Sequence, residues 1–184
     1  IKVTDLPIPD NVKIVSATYT HSGKVLLTYK ANDIQEKNDF YNLAVFNDDG
    51  TDFRNIFSDF IKPCGRANGV RFMCFQDNKR ILLGDYVLEC YPDIDNCESS
   101  ELVFIEYPYG LRNNEFTAMC WSEIIIAPDN EHMAWTTLRN DGVGAIDFIG
   151  ALKRYNDRYI IEDVQIISTL SFVEKDSVHN SYIL

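Results

Sequence analysis

Short apolar runs, each bounded by polar or glycine-containing turns, follow one another along the whole chain. In its first third they predict strands at 12–20, 24–29, 40–46 and 53–57, because β-branched and aromatic residues dominate these runs. No segment places apolar residues at the three-and-four spacing of an amphipathic helix over three turns, and 150–155 is expected to form one helical turn at most. The pattern therefore predicts an all-β protein.

One polar turn recurs three times between apolar strands. Its copies centre on Ser22, Asp77 and Asp129, which are 55 and 52 residues apart. A fixed period of this size, with a strand on each side of every turn, is typical of a β-propeller blade. A β-sandwich also contains many short strands, but it does not account for a turn that recurs at constant spacing.

The period divides the chain, taken as a single propeller segment over 1–184, into four-stranded units. We expect blades at about 13–57, 69–120 and 121–168, and the start of a fourth at 170–184. Propellers close with four to eight blades, so about three and a half blades form an incomplete propeller. The expectation is a fragment of a longer parent chain, with the remainder of the same propeller as its partner.

The strands of the second and third units are predicted from the same alternation of apolar runs and turns. In the second unit a polar excursion separates the second strand from the third, and the fourth strand is short. The predicted strands are 70–75, 80–85, 101–107 and 115–120 in the second unit, and 122–126, 131–138, 145–149 and 160–168 in the third.

The charge balance narrows the range of partners. Asp and Glu outnumber Lys and Arg by 28 to 17, which gives a formal net charge of −11. An acidic surface repels phosphate, so nucleic acids and anionic membrane surfaces are disfavoured. No apolar run reaches the roughly 18 residues of a membrane-spanning helix. A protein or a small molecule is the expected ligand.

Five cysteines bear on the cellular compartment. Cys90 and Cys97 flank a short polar loop at a strand end, where a disulfide would close a hairpin-like excursion and indicate an oxidising compartment. The alternative is five unrelated buried thiols, since free cysteine is commonly a core residue. No Cys-x-x-Cys pair occurs and the three histidines lie far apart, so we predict no metal site.

Two segments carry a likeness to a known family. Residues 45–57, with Asp49-Gly50-Thr51 followed by Arg54, resemble the blade signature of TolB-like propellers, and 127–135 resembles the Ser-Pro-Asp-Gly turn and following strand of that family. Asn130 stands where that turn usually has glycine. The resemblance implies a TolB-like or WD-type propeller of six or seven blades that binds a ligand or protein outside the cytoplasm, in the extracellular space or the periplasm.

A narrower likeness points to an enzyme. Residues 75–84 and the cysteine-bearing excursion from Cys90 to Cys97 are similar to those of secreted saponin-hydrolase-type propellers. This resemblance implies a glycoside hydrolase acting on triterpenoid or steroid glycosides. It places no catalytic residue on this sequence.

Glycoside hydrolysis requires two carboxylates that face each other across the scissile bond. Glu123 is the candidate channel acid, because the first strand of a propeller blade lines the central channel, and Trp121 is the candidate platform for a sugar ring. The alternative for Glu123 is a structural acid. The acidic residues of the second unit's excursion are expected to form a solvated loop; they are Glu89, Asp93, Asp95, Glu98 and Glu101.

The sequence contains no motif for several other kinds of enzyme chemistry. The sequence has no Gly-x-Ser-x-Gly, no His-Glu-x-x-His and no phosphate-binding glycine-rich loop, and no cofactor is predicted. The aspartates near Asp49 and Asp93 are better explained by turn chemistry than by calcium. The leading function is a binding module, with the glycoside hydrolase and the propeller domain of a prolyl-oligopeptidase-like peptidase as alternatives.

Overall fold

The computed structural model describes residues 8, 12–31, 40–61, 72–106, 116–139 and 144–171. Within these ranges the chain forms strands and turns and no helix, which confirms the predicted all-β class. No helix among them has the length and apolar character to cross a membrane. The strands are β1 (Val12–Tyr19), β2 (Val25–Ala31), β3 (Phe40–Phe46), β4 (Arg54–Ile61), β5 (Phe72–Cys74), β6 (Arg80–Leu83), β7 (Tyr86–Tyr91), β8 (Ser99–Glu106), β9 (Phe116–Ile126), β10 (His132–Arg139), β11 (Gly144–Arg154) and β12 (Tyr159–Ser171).

The strands form three antiparallel meanders of four: the first meander is β1–β4, the second β5–β8 and the third β9–β12. The first meander is a sheet of its own, whereas the second and third are joined into one eight-stranded sheet. The join is a short parallel pairing of β8 with β12, in which Tyr159 lies opposite Ile105 and Ile160 opposite Glu106. At the other edge β5 approaches β9, so the eight-stranded sheet is nearly closed.

Two apolar cores hold the meanders face to face. Side chains alternate between the two faces of a strand, so each meander offers one set to each neighbour. Leu82 and Val87 of the second meander pack with Trp135 and Phe148 of the third. On the opposite face of the second meander, Ile81 and Leu88 pack with Leu43 and other residues of the first. The second meander is therefore covered on both faces.

The recurring turns share one backbone geometry, which explains the sequence repeat. Gly23, Asn78 and Asn130 occupy the same position of the turn, and each has a positive φ, of 90°, 55° and 61°. Asparagine tolerates this left-handed conformation better than most residues, which is why it replaces glycine in two of the copies. In these two copies the preceding aspartate, Asp77 or Asp129, accepts hydrogen bonds from backbone N–H groups of its own turn.

All these turns lie at one end of the meanders, which we call the turn end. Two hydrogen bonds join the second and third turns there: the Asp77 N–H donates to Asn130 Oδ1 at 3.2 Å, and the Arg80 guanidinium donates to the Asn130 carbonyl at 3.1 Å. The second and third meanders therefore contact each other through equivalent turns as well as through their core.

The second unit departs from the predicted strands. The segment predicted as one strand at 80–85 ends at Leu83, and a tight connection through Gly84, with φ of 58°, leads into β7. The prediction missed β7, because the apolar run continues across the turn. The prediction of a fourth strand at 115–120 was also wrong: 116–126 is one continuous strand that opens the third meander, and β8 is the fourth strand of the second.

The third unit extends its third strand beyond the predicted end at 149. Residues 150–155, to which the sequence allowed one helical turn at most, contain none, because β11 continues through Arg154 and pairs with β12 as far as Tyr159. Gly150 permits this close packing, because a Cβ there would lie 3.0 Å from Ile161 Cγ2 and 3.2 Å from Trp135 Cη2. The predicted start of a fourth unit, beyond 171, lies outside the described residues.

Candidate functional site

The two residues predicted to act on a sugar lie on β9. Glu123 is in register with Thr136 and Trp121 with Thr137, on the neighbouring strand β10. The structure describes the backbone at these positions but not the side chains of Trp121 and Glu123. β9 is the first strand of the third meander and lies at the edge that β5 approaches. The assignment of Glu123 as a channel acid stays a prediction.

Polar residues on the neighbouring strands continue a row that begins at position 123 and crosses the third meander. Asp147 on β11 lies opposite Thr136 and accepts a hydrogen bond from its hydroxyl at 2.7 Å, and Ser168 on β12 donates to the other carboxylate oxygen at 2.5 Å. Hydrogen bonds from Ser168 and Thr136 lower the pKa of Asp147. This carboxylate is therefore ionised at neutral pH.

A second group of polar residues gathers around Glu89 at the turn end, between the second and third meanders. Glu89 points from β7 toward the third meander, and its side chain is only 12% exposed. One carboxylate oxygen accepts hydrogen bonds from the Tyr159 hydroxyl at 2.5 Å and from Arg154 Nε at 2.9 Å. The other accepts from the Tyr91 hydroxyl at 2.7 Å. We call Glu89, Glu101, Arg154, Tyr91 and Tyr159 the Glu89 cluster.

The contacts of the Glu89 cluster fix its charges. Burial raises the pKa of Glu89, but hydrogen bonds from Tyr159, Tyr91 and Arg154 outweigh it, so the net pKa is lowered. Burial and the hydrogen bond to Glu89 raise the pKa of Tyr159. The same kind of hydrogen bond, together with burial and the negative charge of Glu89, raises the pKa of Tyr91 to about 12. At neutral pH the carboxylate is charged and both phenols are protonated.

The rim of the cluster is accessible to a ligand. Glu101, opposite Glu89 on β8, has a side chain 59% exposed, with one oxygen 3.9 Å from the Arg154 guanidinium. Tyr91 is 47% exposed. An anchored arginine thus lies between a buried and an open carboxylate, with one exposed tyrosine beside them. Tyr155 is exposed as well, but its hydroxyl donates to Glu162 on the opposite face of the third meander.

A third polar group surrounds Asp95, between the first and second meanders. Its carboxylate accepts hydrogen bonds from the Asn78 amide at 2.7 Å and from the Thr20 hydroxyl at 3.5 Å. Its main-chain carbonyl accepts from Lys24 Nζ at 3.5 Å and from the Arg54 guanidinium. The interpretation of the excursion as a solvated loop was therefore wrong for Glu89 and for Asp95, both of which join meanders.

The predicted cysteine pair brackets the Asp95 loop. Cys90 is buried at the end of β7, Cys97 is partly buried ahead of β8, and both side chains belong to the core between the first and second meanders. The Glu98 N–H donates to the Tyr91 carbonyl at 2.9 Å, so backbone pairing brings the two ends of the loop together beside the cysteines. The disulfide between Cys90 and Cys97 stays a prediction. Cys64 and Cys120 lie outside the described side chains.

The described carboxyl groups whose pKa is clearly shifted are all stabilised in the charged form. A glycoside hydrolase keeps one carboxyl group protonated at neutral pH, which requires a raised pKa. Wherever a described carboxyl departs clearly from its ordinary pKa, the pKa is lowered, as for Glu89, Asp129 and Asp147. Among the described residues no three His, Cys, Asp or Glu side chains are grouped so as to hold a metal ion. Asp49 and Asp93 instead accept hydrogen bonds within their own turns.

Comparison with known proteins adds no assignment. No protein-family model, no curated protein and no solved structure matches this chain.

Sequence reasoning found Glu89 but missed the partners that define its role. Arg154 lay in the predicted helical turn and Tyr159 lay just ahead of a predicted strand. One signal was available: Glu89 interrupts the apolar run of 86–91 at a position that alternation assigns to the same face as Val87. An acid on a core-facing position predicts a buried partner, although the sequence does not say which basic residue meets it.

Proposed function

We propose that the three meanders are consecutive blades of a TolB-like β-propeller. Three observations support this proposal. Each meander has four antiparallel strands in chain order. Each packs face to face on the next, and equivalent turns recur at one end. The last strand of the second meander ends beside the first residues of the last strand of the third, so the outer strands follow one another around the rim.

The remainder of such a propeller is the proposed partner of the third meander. Ile125, Ala134 and Ile149 form a row across β9, β10 and β11, on the face opposite the core shared with the second meander. Ile125 is 67% exposed there. A further blade packed on this face would bury the isoleucines, as the second meander buries Leu26 and Val45 on the corresponding face of the first.

The function that we propose for this propeller is that of an extracytoplasmic binding module. The ligand site is the Glu89 cluster, and the observation that supports this assignment is its rim, where the Glu101 carboxylate and the Tyr91 side chain lie open beside an anchored Arg154. Tyrosine offers an apolar face and a polar tip, which suits a sugar ring or a side chain of a protein ligand. Propeller turns from successive blades point to a common end, so one ligand contacts two meanders.

The proposed compartment rests on the cysteines. Cys90 and Cys97 pack in one core at the two ends of a loop whose base is closed by backbone pairing, and a disulfide between such partners persists only where the surroundings are oxidising. The extracellular space and the bacterial periplasm both meet this condition.

Binding measured with the whole parent protein tests the assignment. Tyr91→Ala and Glu101→Gln remove exposed groups of the rim, and Asp48→Asn, in the exposed turn between β3 and β4, is the matched control. Glycosides, including saponins, and candidate protein ligands are titrated by calorimetry. We expect the two rim variants to weaken binding about tenfold or more, since each removes about 1.5 kcal/mol or more of contact. Equal affinity in all four proteins would remove the cluster from the binding site.

The same glycosides distinguish binding from hydrolysis. Mass spectrometry of the incubated mixtures shows whether a defined sugar is released. Binding without release supports the module. Release that Glu123→Gln abolishes, in a protein that stays folded, would replace the module with the glycoside hydrolase.

A further inference from the structure

The loop between β7 and β8 is attached to the first meander at its middle and bracketed by two thiols at its ends. At its middle Ile94 is fully buried in the core between the first and second meanders, and its N–H donates to the Asn78 carbonyl at 2.8 Å. The next residue, Asp95, makes the hydrogen bonds to Thr20, Lys24 and Arg54 of the first meander described above. A change at either end of this loop acts on contacts between two meanders.

The two ends of the loop meet at Cys90 and Cys97. The Glu98 N–H donates to the Tyr91 carbonyl at 2.9 Å, which closes the base of the loop beside the cysteines. The Cys97 thiol donates to the Ser99 carbonyl at 3.3 Å, and its side chain packs in the same core as that of Cys90. Strand pairing, with Cys90 opposite Ser100 and Tyr91 opposite Ser99, thus keeps the two cysteines near each other independently of any bond between them.

We infer that Cys90 and Cys97 are a dithiol–disulfide pair whose oxidation closes this loop and fixes Asp95 against the first meander. The inference concerns the junction of the first and second meanders, so it does not depend on a ligand at the Glu89 cluster. A bond across the ends of the loop restricts the conformations open to the residues between them. Reduction leaves the loop attached by its hydrogen bonds and by Ile94 alone.

The two thiols have different roles in the reaction. The hydrogen bond from Cys90 lowers the pKa of Cys97, against the effect of its burial, and the Tyr91 N–H contributes in the same direction. Donating this hydrogen bond, together with burial, raises the pKa of Cys90. Cys97 is also the more accessible of the two. Because the thiolate is the nucleophile, Cys97 reacts first with an external disulfide and Cys90 resolves the mixed disulfide.

The exchange balances with a small-molecule disulfide such as oxidised glutathione. The Cys97 thiolate attacks one sulfur of it, breaks the S–S bond and releases one glutathione as thiolate. Cys90 then loses its proton and attacks the Cys97 sulfur, which expels the second glutathione. The two protein thiols lose two electrons and two protons, and oxidised glutathione becomes two molecules of the thiol.

Cys74 provides an internal control. It lies in the same core and is buried, and burial raises its pKa to about 12. A thiol with so little thiolate at neutral pH reacts slowly with disulfides. We therefore expect Cys74 to stay reduced while the loop pair oxidises.

The experiment equilibrates the whole protein in glutathione buffers of stepped ratio, followed by an acid quench, alkylation and peptide mass mapping. We expect one peptide pair joined through Cys90 and Cys97, two hydrogens lighter than the reduced sum, with Cys74 alkylated only after unfolding. Hydrogen exchange of the Ile94 N–H should slow by about tenfold or more on oxidation, because opening of the loop is restricted. Cys97→Ser should remove both the cross-link and this change.

Two results would overturn the inference. If Cys90 and Cys97 are alkylated separately, or carry glutathione separately, in every buffer, they are not a pair; this outcome needs only the wild-type protein. If the cross-link forms but exchange at Ile94 is the same in both states, oxidation does not fix the loop. If Cys97→Ser does not fold, peptide mapping and hydrogen exchange of the wild-type protein still test the inference.

Discussion

The junction between the first and second meanders and the junction between the second and third are both apolar cores closed by an acidic residue at the turn end. The two junctions differ in the backbone contacts that join their meanders. β8 and β12 pair through their backbones, so the second and third meanders share one sheet. The first meander is a separate sheet. Among the described residues it contacts the second through side chains and through the Asp95 loop, and the Ser100 hydroxyl donates to the Ile56 carbonyl at 2.8 Å.

The acidic residues differ as well. Glu89 is a strand residue whose carboxylate accepts three hydrogen bonds, from Tyr159 and Arg154 of the third meander and from Tyr91 of its own strand. Asp95 is a loop residue whose main-chain carbonyl carries half of the contacts. Among the described residues around Asp95, Arg54 Nε and Asn78 Oδ1 are buried and have no hydrogen-bond partner in the protein. Such atoms cost stability, so the first junction is the less completely satisfied of the two.

This difference predicts that the first meander opens before the eight-stranded sheet does. The largest effect should come from the core of the stronger junction. Trp135→Ala removes a ring stacked 5.4 Å from Phe148 and should lower the free energy of unfolding by about 3–5 kcal/mol. Denaturant unfolding measures the loss. Asp157→Ala, in the exposed turn between β11 and β12 of the same meander, is the control and should change the value by less than about 0.5 kcal/mol.

Hydrogen exchange on a matched variant extends this prediction to the other junction. Leu43→Ala, in the core of the first junction, should accelerate exchange mainly in β1 to β4, whereas Trp135→Ala should accelerate it throughout β5 to β12. Equal acceleration in all three meanders with both variants would show that backbone continuity between the second and third meanders does not set the unit of opening.

The Glu89 carboxylate should give the next largest effect. Glu89→Gln removes the charge from three donors, one of them the buried Tyr159 hydroxyl, and should destabilise the protein by about 1.5–3 kcal/mol. Glu101→Gln, directly opposite on β8 but open to solvent, is the matched control, with an expected change under about 0.5 kcal/mol. Similar losses of stability in the two variants would mean that the burial of Glu89 does not increase its contribution to the free energy of unfolding.

The pH dependence of Glu89 has a definite sign. Folding lowers its pKa below the ordinary value of 4.5, so the unfolded chain binds this proton more tightly than the folded one. Its stabilisation is complete above pH 4.5 and disappears as the pH falls through the lower, folded value. The difference in unfolding free energy between wild type and Glu89→Gln should therefore shrink below about pH 4.5. A difference that stays constant down to pH 2 would assign the loss to packing.

Gly150 tests how closely the third meander is packed. A Cβ at this position would lie 3.0–3.2 Å from Ile161, the Glu162 carbonyl and the Trp135 ring. Because backbone and a packed indole cannot move away freely, Gly150→Ala should cost about 1–3 kcal/mol. Gly23→Ala provides a contrast, since the space around it is open and any loss there arises from its φ of 90°. If Gly150→Ala leaves the free energy of unfolding unchanged, the neighbouring atoms move to accommodate the added Cβ.

Most of the strand pattern could be predicted from the sequence, because each strand alternates and each turn has its own chemistry. Asp129 and Asn130 form the predicted turn, and strand β3 has the predicted bounds. The errors arose where one apolar run spans two elements, as at Gly84, or where two predicted strands are one, as at Trp121. Hydrophobicity is continuous there, so only pairing with the neighbouring strands decides the boundary.

The candidate site was less predictable than the fold. Cys90 and Cys97 could be paired because they are close in sequence and flank a turn. Arg154 and Glu89 are 65 positions apart, and they meet only because β8 and β12 lie side by side. An acidic residue in an apolar run predicts a buried partner, but which residue that partner is depends on the order in which the meanders stack.

Asp95 should give the smallest of the expected effects. Asp95→Asn keeps the main-chain carbonyl contacts to Lys24 and Arg54, and its amide oxygen can still accept from Asn78, so we expect a loss of about 0.5–1.5 kcal/mol. Asp93→Asn is the matched control, because Asp93 bonds only to Asn96 within the same loop. Chemical denaturation of both variants, with the cysteines kept reduced, makes the comparison. A loss at Asp95 as large as that at Glu89 would mean that the two junctions depend equally on one carboxylate, and the contrast between a loop contact and a strand contact would fail.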